Sequence, residues 1–574
     1  MPRFRFSPAY TENPPLTPGD GLILLGLVGL LYLGVRLALT TPIIIAGPEI
    51  SLAPRALPWY TLLSIGRMTA AYCLSLLFSL TYGYAASRNH TARALLMPLL
   101  DILQSVPILS FLPVVLLGLN AVLSQNLAAE LAAVILIFTS QAWNMTFSFY
   151  QSMTTLPTEL REAAAIFRLS PWQRFKTLEL PFAAIGLLWN SIMSWAGGWF
   201  FLMAAETFQV GDRDFRLPGL GSYLQTAANR GNLSATLLGL GTLVTVIILL
   251  DQCLWRPLIA WANKFKMETT ESETLPTSWF LDLWQRARLV KYITEQGRQL
   301  SARRRSNRPQ RRRVTYIGPT ESVGKARVSG WIIGLGVGLA LALAYTAYLA
   351  AIVLRAIPQT VWAQIGLGLF YTFLRVAAAL GLALAWTIPV GVVIGVNPRW
   401  ARLLQPIVQV LASIPATALF PVLLLALLRV PSGLNIAAVG LMLIGTQWYL
   451  LFNIIAGASA IPQDLKYTTD LLRLSRFDRW RRLILPALFP YIITGAITAS
   501  GGAWNASIVA EFVKFGGRMY ATRGLGALIS QATATGDNAL LLAATLTMVL
   551  TVVFVNRVLW RRLYRLAEER YRLD

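Results

Sequence analysis

The stretch LPTELREAAAIFRLSPWQRFKTLELP, residues 156–181, aligns without a gap to IPQDLKYTTDLLRLSRFDRWRRLILP, residues 461–486. The offset of 305 also pairs Gly197 with Gly502, Trp199 with Trp504, Glu206 with Glu511, and Gly219-Leu220-Gly221 with Gly524-Leu525-Gly526. Upstream the offset becomes 308, pairing Arg67 with Arg375, Ser105-Val106-Pro107 with Ser413-Ile414-Pro415, and Pro113 with Pro421. A change in length between the third and fourth apolar segments of each half accounts for the shift. One unit is therefore written twice in the same direction, and internal repetition decides the architecture.

The 574 residues are 55% hydrophobic and 13% charged, with a mean hydropathy of +0.56. Soluble chains carry roughly 25% charged residues, so a water-soluble multidomain enzyme is excluded. A bilayer crossing takes about 20 apolar residues. Candidate crossings lie near 21–39, 59–85, 95–118, 128–150, 182–205 and 235–255, then near 330–354, 361–396, 403–427, 433–455, 487–510 and 538–556. The expected fold is an all-α polytopic membrane protein with about 12 transmembrane helices in two parallel six-helix repeats. Parallel repeats pack about an axis along the membrane normal and leave a pathway between them. The first crossing is too long for a signal-peptide core and is read as retained.

Net charge is +24, from 50 Lys and Arg against 26 Asp and Glu. With the N-terminus inside, 38 of the 50 basic residues fall on one side and 9 on the other, and Arg36, Arg67 and Arg375 fall within crossings. The positive-inside rule then places both termini in the cytoplasm. The excess is thus a record of topology, and a nucleic-acid partner is not expected. The domain reading is a first unit over 1–255, a basic linker over 256–327 and a second unit over 328–574. Within the linker, Trp279, Phe280, Leu283, Trp284, Ala287 and Val290 recur at helical spacing, as in an amphipathic helix lying on a lipid surface. Cys73 and Cys253 read as small buried hydrophobes, and His90 as a loop residue. No metal site is expected.

The duplicated loop is long for a connection between crossings. Each copy opens at a proline (Pro157, Pro462), runs through a short helical stretch, and reaches a shared Arg-Leu-Ser (168–170 and 473–475). An aromatic residue and an arginine follow: Trp172 with Arg174, and Phe477 with Arg479. Leu-x-Leu-Pro then leads into the next crossing. Ser170-Pro171 has the form of an N-cap followed by proline at the first helical position. Two folded, duplicated elements suit docking to a symmetric partner; a duplicated plain connection is the simpler alternative.

With Glu162-Ala163-Ala164, Leu178-x-Leu180-Pro181, Ser105-Val106-Pro107 and the glutamate before Gly219-Leu220-Gly221, the chain resembles the permeases of ABC importers, the binding-protein-dependent inner-membrane components. The pattern is most similar to the nitrate/sulfonate/taurine/bicarbonate branch, with two permease units fused. The resemblance implies that the loops are ATPase-coupling elements. Their residues are Glu162, Ala163, Ala164, Arg168, Ser170, Arg174 and Pro181, then Tyr467, Thr468, Thr469, Arg473, Ser475, Arg479 and Pro486. Two departures stand out: arginine (Arg168, Arg473) replaces the family's glycine, and Tyr467-Thr468-Thr469 replaces Glu-Ala-Ala. The two docking contacts are expected to be unequal.

The resemblance further implies two cytoplasmic ATP-binding subunits, identical or not, and a periplasmic or lipid-anchored substrate-binding protein. It places the chain in the bacterial inner membrane, carrying a small, anionic solute. ATP and Mg2+ would sit on the partners, with no cofactor on this chain and no catalytic residue. The nearest approach to a phosphate loop, Gly318 to Ala326, has five residues between its glycines and Ala326 where Ser or Thr would meet magnesium, and is rejected. On the outer side, 206–234 and 511–537 are expected to be long loops forming a gate. Arg213, Arg216, Lys514 and Arg518 lie close to Glu206 and Glu511 in sequence. An ion-paired loop is favoured there over contact with substrate. Arg67 and Arg375 are read first as structural anchors and second as a pair lining the pathway; Trp199 and Trp504 are read as packing residues. The alternative function is a secondary transporter of the major-facilitator type, which also has twelve crossings in parallel halves.

Overall fold

A computed structural model describes residues 47–210, 213–262, 264, 330–427, 430–461, 463–515 and 518–570, with a few positions between 25 and 33. The first crossing, most of the linker with its amphipathic segment, and the 318–326 motif lie outside the described residues. The first half comprises α1 (Leu57–Arg88), α2 (His90–Ser105), α3 (Ile108–Asn120), α4 (Gln125–Thr154), α5 (Thr158–Ile166), α6 (Pro171–Arg174) and α7 (Leu180–Glu206). After a hairpin of β1 (Gln209–Val210) and β2 (Arg213–Asp214) come α8 (Leu220–Asn229), α9 (Leu233–Leu250) and α10 (Arg256–Ala262).

The second half begins with α11 (Gly330–Arg355) and repeats the order. It contains α12 (Gln359–Val396), α13 (Pro398–Ser413), α14 (Ala416–Leu427), α15 (Gly433–Ala460), α16 (Gln463–Leu471), α17 (Arg476–Arg479) and α18 (Leu485–Ala510). The hairpin of β3 (Phe512–Phe515) and β4 (Arg518–Ala521) leads to α19 (Leu525–Thr535), α20 (Asn538–Val555) and α21 (Arg561–Arg570). Seven helices among the described residues are long and apolar enough to cross a membrane. The chain is an all-α polytopic membrane protein apart from the two short hairpins.

Four expectations need correction. The crossings expected near 95–118 and 403–427 are each two helices, broken at Ser105-Val106-Pro107 and Ser413-Ile414-Pro415. Proline lacks the N–H that would continue the ladder, and the residue before it is pushed to extended geometry. The segments 206–234 and 511–537, expected as long outer loops, are not open; each is a hairpin followed by a helix. Cys73 and Cys253 are exposed on the helix surface. His90 opens α2 as its first residue.

Lipid tails are as apolar as the side chains, so helices in a bilayer pair through small residues that let backbones approach. On α1 the seam is Ala71, Ser75, Ser79 and Gly83, four residues apart and all buried against α4. Thr146 Oγ1 donates to Ser79 Oγ at 3.0 Å, and Ser79 Oγ to the Ala142 carbonyl at 3.2 Å. The 308 offset maps this seam onto Ala379, Ala383, Thr387 and Gly391 of α12, buried against α15. A Cβ on Gly391 would lie 2.7 Å from Ile454 Cγ2.

The halves meet reciprocally. Helix α7 packs on α14 while α18 packs on α3, α9 meets α13 while α20 meets α2, and α8 lies against β3 while α19 lies against β1. Such exchanged contacts are the signature of a two-fold relation. The main core draws on both halves, with Trp199 and Trp504 fully enclosed in it. Four turns of π-helix occur at matched places: Phe175–Glu179 with Trp480–Ile484, and Asp251–Trp255 with Asn556–Trp560.

Candidate functional site

Each duplicated loop joins the same helix ends in its half, α4 to α7 in the first and α15 to α18 in the second. In the first, α5 stops where Arg168 adopts φ 51°, and Leu169 N–H returns to the Ala164 carbonyl at 3.0 Å. Ser170 then caps α6 through a reciprocal capping box with Gln173. Pro181 lies in the first turn of α7, directly after the π-turn Phe175–Glu179. The second loop repeats this: Arg473 adopts φ 47°, Leu474 N–H returns to the Thr469 carbonyl, Ser475 caps α17, and Pro486 lies in the first turn of α18. These are αL helix ends, the geometry in which glycine is usual. Arginine has taken the glycine's conformation in both halves.

Ala164 and Thr469 face inward at the same register, so the third position of the loop motif must be small. Glu162, Tyr467 and Thr468 face outward, with Ala163 partly covered. Around each left-handed arginine stand three large exposed side chains: Ile166, Phe167 and Trp172 (70–78% exposed), and Leu471, Leu472 and Phe477 (65–83%). Exposed apolar clusters of this kind mark interaction surfaces.

Sequence reasoning placed Arg174 among the docking groups. The structure turns it inward, with Nε 2.9 Å from the buried Glu179 carboxylate, which also pairs with Arg88. Glu179 and Arg88 were not anticipated. Their counterparts are Ile484 and Val396, so the corresponding spot in the second half is an apolar contact. Charge fastens the base of one loop and hydrophobic packing the other.

At the opposite end, each half holds a buried ion pair. Arg67 Nη1 lies 2.8 Å from Glu206 Oε1, and both side chains are buried. Ser64 Oγ donates to Glu206 at 2.6 Å and accepts from Leu220 N–H at 3.0 Å. Gly221 N–H donates to Glu206 Oε2 at 2.7 Å. The carboxylate and Ser64 thus satisfy the amides of Gly221 and Leu220 that begin α8, and the carboxylate sits at the positive end of its dipole. Gly219 leaves the space for this: a Cβ there would come within 2.3 Å of the Glu206 carboxyl.

Glu511 is held in the same way by Arg375 Nη1 at 2.6 Å, Thr372 Oγ1 at 2.8 Å and Gly526 N–H at 2.9 Å. The partners of both glutamates thus come from α1 and α12, and the sequence-adjacent Arg216 instead pairs with Asp214 at 2.5 Å. Ser64 with Thr372, and Glu130 with Asn435, were missed. The repeat offsets align both pairs and could have found them. Arg67 donates a two-pronged bond to Glu130 at 2.6 and 2.7 Å, whereas the matching partner of Arg375 is the neutral Asn435, whose Oδ1 accepts at 2.8 Å.

Between the halves lies a cavity of about 60 Å³. Its wall combines Gly197 and Phe200 of α7, the break at Pro415, Trp448 and Tyr449 of α15, and Gly502 of α18. No charged residue lines it, and Trp448 Nε1 is buried without a partner among the described residues. Arg67, Arg375, Glu206, Glu511, Trp199 and Trp504 are all absent from its wall.

Residues 71–252 and 387–572 each match the family described as binding-protein-dependent transport system inner membrane component. The nitrate import permease protein NrtB of Leptolyngbya laminosa is 32% identical over 182 residues, covering 32% of this chain and 62% of that protein. The bicarbonate transport system permease protein CmpB of a Synechocystis species is 35% identical over 153 residues, 26% of this chain and 53% of the relative. The taurine transport system permease protein TauC of Escherichia coli is 27% identical over 158 residues, 28% and 54% respectively. The chain spans between about half and three fifths of the length of these curated relatives.

Proposed function

The chain belongs to the binding-protein-dependent transport system inner membrane components, with two family units in one polypeptide, and from that premise we propose that it forms the complete membrane pathway of an ATP-driven importer. Membership in this family sets aside the major-facilitator alternative. The observation that carries the reading is a like-folded loop at the same helix ends of each of two reciprocally packed halves, with a cavity between the halves. Two ATP-binding subunits, identical or not, would each take one loop. Closure of that pair on ATP would push α5 and α16 and rock the halves about the shared axis, the rigid-body motion of alternating access. The π-turns join each loop to α7 and α18 at points where the helical ladder is interrupted.

ATP and Mg2+ belong to the partners, and this chain supplies no catalytic residue. The hairpins and α8 and α19 would face a periplasmic or lipid-anchored binding protein in the bacterial inner membrane, with both termini and the linker in the cytoplasm. The substrate is a small anion of the nitrate, bicarbonate or sulfonate kind. In an uncharged cavity it would be recognised by neutral donors, with Trp448 Nε1 offering an unused N–H. The buried arginines Arg67 and Arg375 hold the outer helices and stand outside the route.

The test is uptake into vesicles containing the full chain and the ATP-binding subunits that co-purify with it, with nitrate, bicarbonate and taurine each offered with a cognate binding protein. Accumulation of one of them should require ATP on the loop side. Accumulation driven by a proton gradient in vesicles lacking the ATP-binding subunits would overturn the proposal.

A further inference from the structure

Docking through an apolar helix does not require what both loops have in common. The residue that ends each loop helix in the left-handed region is an arginine, at φ 51° and 47°. Among the described residues only Ser432 is another non-glycine with positive φ. An L-residue is disfavoured there because its Cβ crowds the following carbonyl, and glycine escapes the conflict. Arginine nevertheless stands at this position in both halves, although the three residues at the preceding motif have changed from Glu-Ala-Ala to Tyr-Thr-Thr. Both arginines are exposed, and neither side chain makes an ion pair or hydrogen bond among the described residues. Backbone strain kept at an exposed, unpaired charge points to a use outside the chain.

We propose that Arg168 and Arg473 are the charge anchors of the two docking surfaces, each forming a forked pair with a carboxylate on an ATP-binding subunit. This rests on the docking reading given above. Arginine surrounded by large apolar groups is the composition of an interface hot spot, and its planar fork matches a carboxylate. Ile166, Phe167 and Trp172 would exclude water around the first pair, and Leu471, Leu472 and Phe477 around the second. A lipid phosphate could also attract an exposed arginine. A fluid headgroup, however, gains nothing from a fixed Cα–Cβ direction, which the left-handed backbone imposes and which suits a rigid partner. Two loops related by a two-fold axis likewise match a pair of protein subunits.

The experiment compares the full chain with an Arg168→Gly, Arg473→Gly double variant, and with Arg168→Lys, Arg473→Lys. The probe is the ATP-hydrolysing subunit that co-purifies with the wild-type chain. The glycine variant alone should unfold at the same or a higher temperature, since the strain is relieved. It should nonetheless retain the subunit roughly tenfold less well at physiological salt, the loss of one tenfold step in affinity. Wild-type retention should weaken as salt rises, and the lysine variant should fall between the two. Retention of the subunit by the glycine variant within twofold of wild type would overturn the proposal. So would a stabilisation of the wild type by phosphatidylglycerol vesicles over phosphatidylcholine vesicles that the glycine variant loses while keeping its subunit. Absence of any ATP-hydrolysing subunit from the wild-type chain would instead defeat the docking reading on which the proposal rests.

Discussion

The Arg67 guanidinium on α1 lies 2.8 Å from the Glu206 carboxylate at the end of α7, 139 residues later, and Arg375 stands 2.6 Å from Glu511 in the same relation. Each pair is buried, and each glutamate also accepts from an amide in the first turn of the following helix. The pairs therefore join three elements at the end of each half opposite its loop. Leaving a buried charge without its partner costs about 3–5 kcal/mol.

That cost will differ between the halves. Glu206→Ala leaves Arg67 with Glu130, whereas Glu511→Ala leaves Arg375 facing the neutral Asn435. Thermal unfolding of the purified chain should show the larger loss for Glu511→Ala. An additional Asn435→Glu change should narrow the gap. Equal losses for the two alanine variants would mean that Glu130 does not support Arg67.

Glycine at position 219 is required by space, since its φ of 178° is open to any residue. Gly219→Ala and Gly524→Ala drive a Cβ into the glutamate carboxyl and should each destabilise the chain by about 1–3 kcal/mol, the usual cost of overpacking. Gly66→Ala, in the interior of α1 with open space around it, should stabilise by about 0.5–1 kcal/mol. Opposite signs in the melting temperatures check the argument.

The bases of the two loops should respond unequally to exchange of their residues. Ile484→Glu buries a carboxylate where the neighbour is Val396, and should cost about 3–5 kcal/mol unless the group stays protonated. Glu179→Ile releases Arg88 and Arg174, which already reach solvent, and should cost under about 1 kcal/mol. Urea or thermal unfolding of the two single variants distinguishes them.

The hairpin after α7 should loosen in acid. Burial pushes the Asp214 carboxyl up, but the hydrogen bonds and charge of Arg216 together outweigh it and hold it below its ordinary value. A carboxyl depressed by folding contributes its stability above the unfolded value, about 3.9, and loses it as pH falls through the lower folded value. Proteolysis within 207–219 should therefore accelerate below about pH 4. In Asp214→Asn it should be fast already at neutral pH and show little further change.

Much of this protein was legible in its residues because the deciding physics is local. Apolar runs reveal bilayer crossings, and Ser170-Pro171 announces a helix start that the backbone adopts. Position-by-position likeness between 156–181 and 461–486 revealed the duplication, and residues 71–252 and 387–572 match one family. The breaks before Pro107 and Pro415 were equally local, but the strength of the apolar signal across them hid the interruption. The left-handed backbone at Arg168 and Arg473 was hinted at by the missing glycine; only the folded loop shows that arginine accepts that conformation.

The pairing of charges was a different matter. Arg216 lies 10 residues from Glu206 and Arg67 lies 139 away, yet Glu206 pairs with the distant one. Sequence proximity favoured the wrong partner because a loop arginine has water as an alternative and an arginine within a crossing has none. By itself the sequence determined two parallel halves, their crossings and their folded loops, since hydrophobicity, capping and repetition act over a few turns of chain. Tertiary structure decided which charges meet, which arginine turns inward and which stays exposed, and what lines the central cavity. Those outcomes depend on burial, which is a property of the packed helices together.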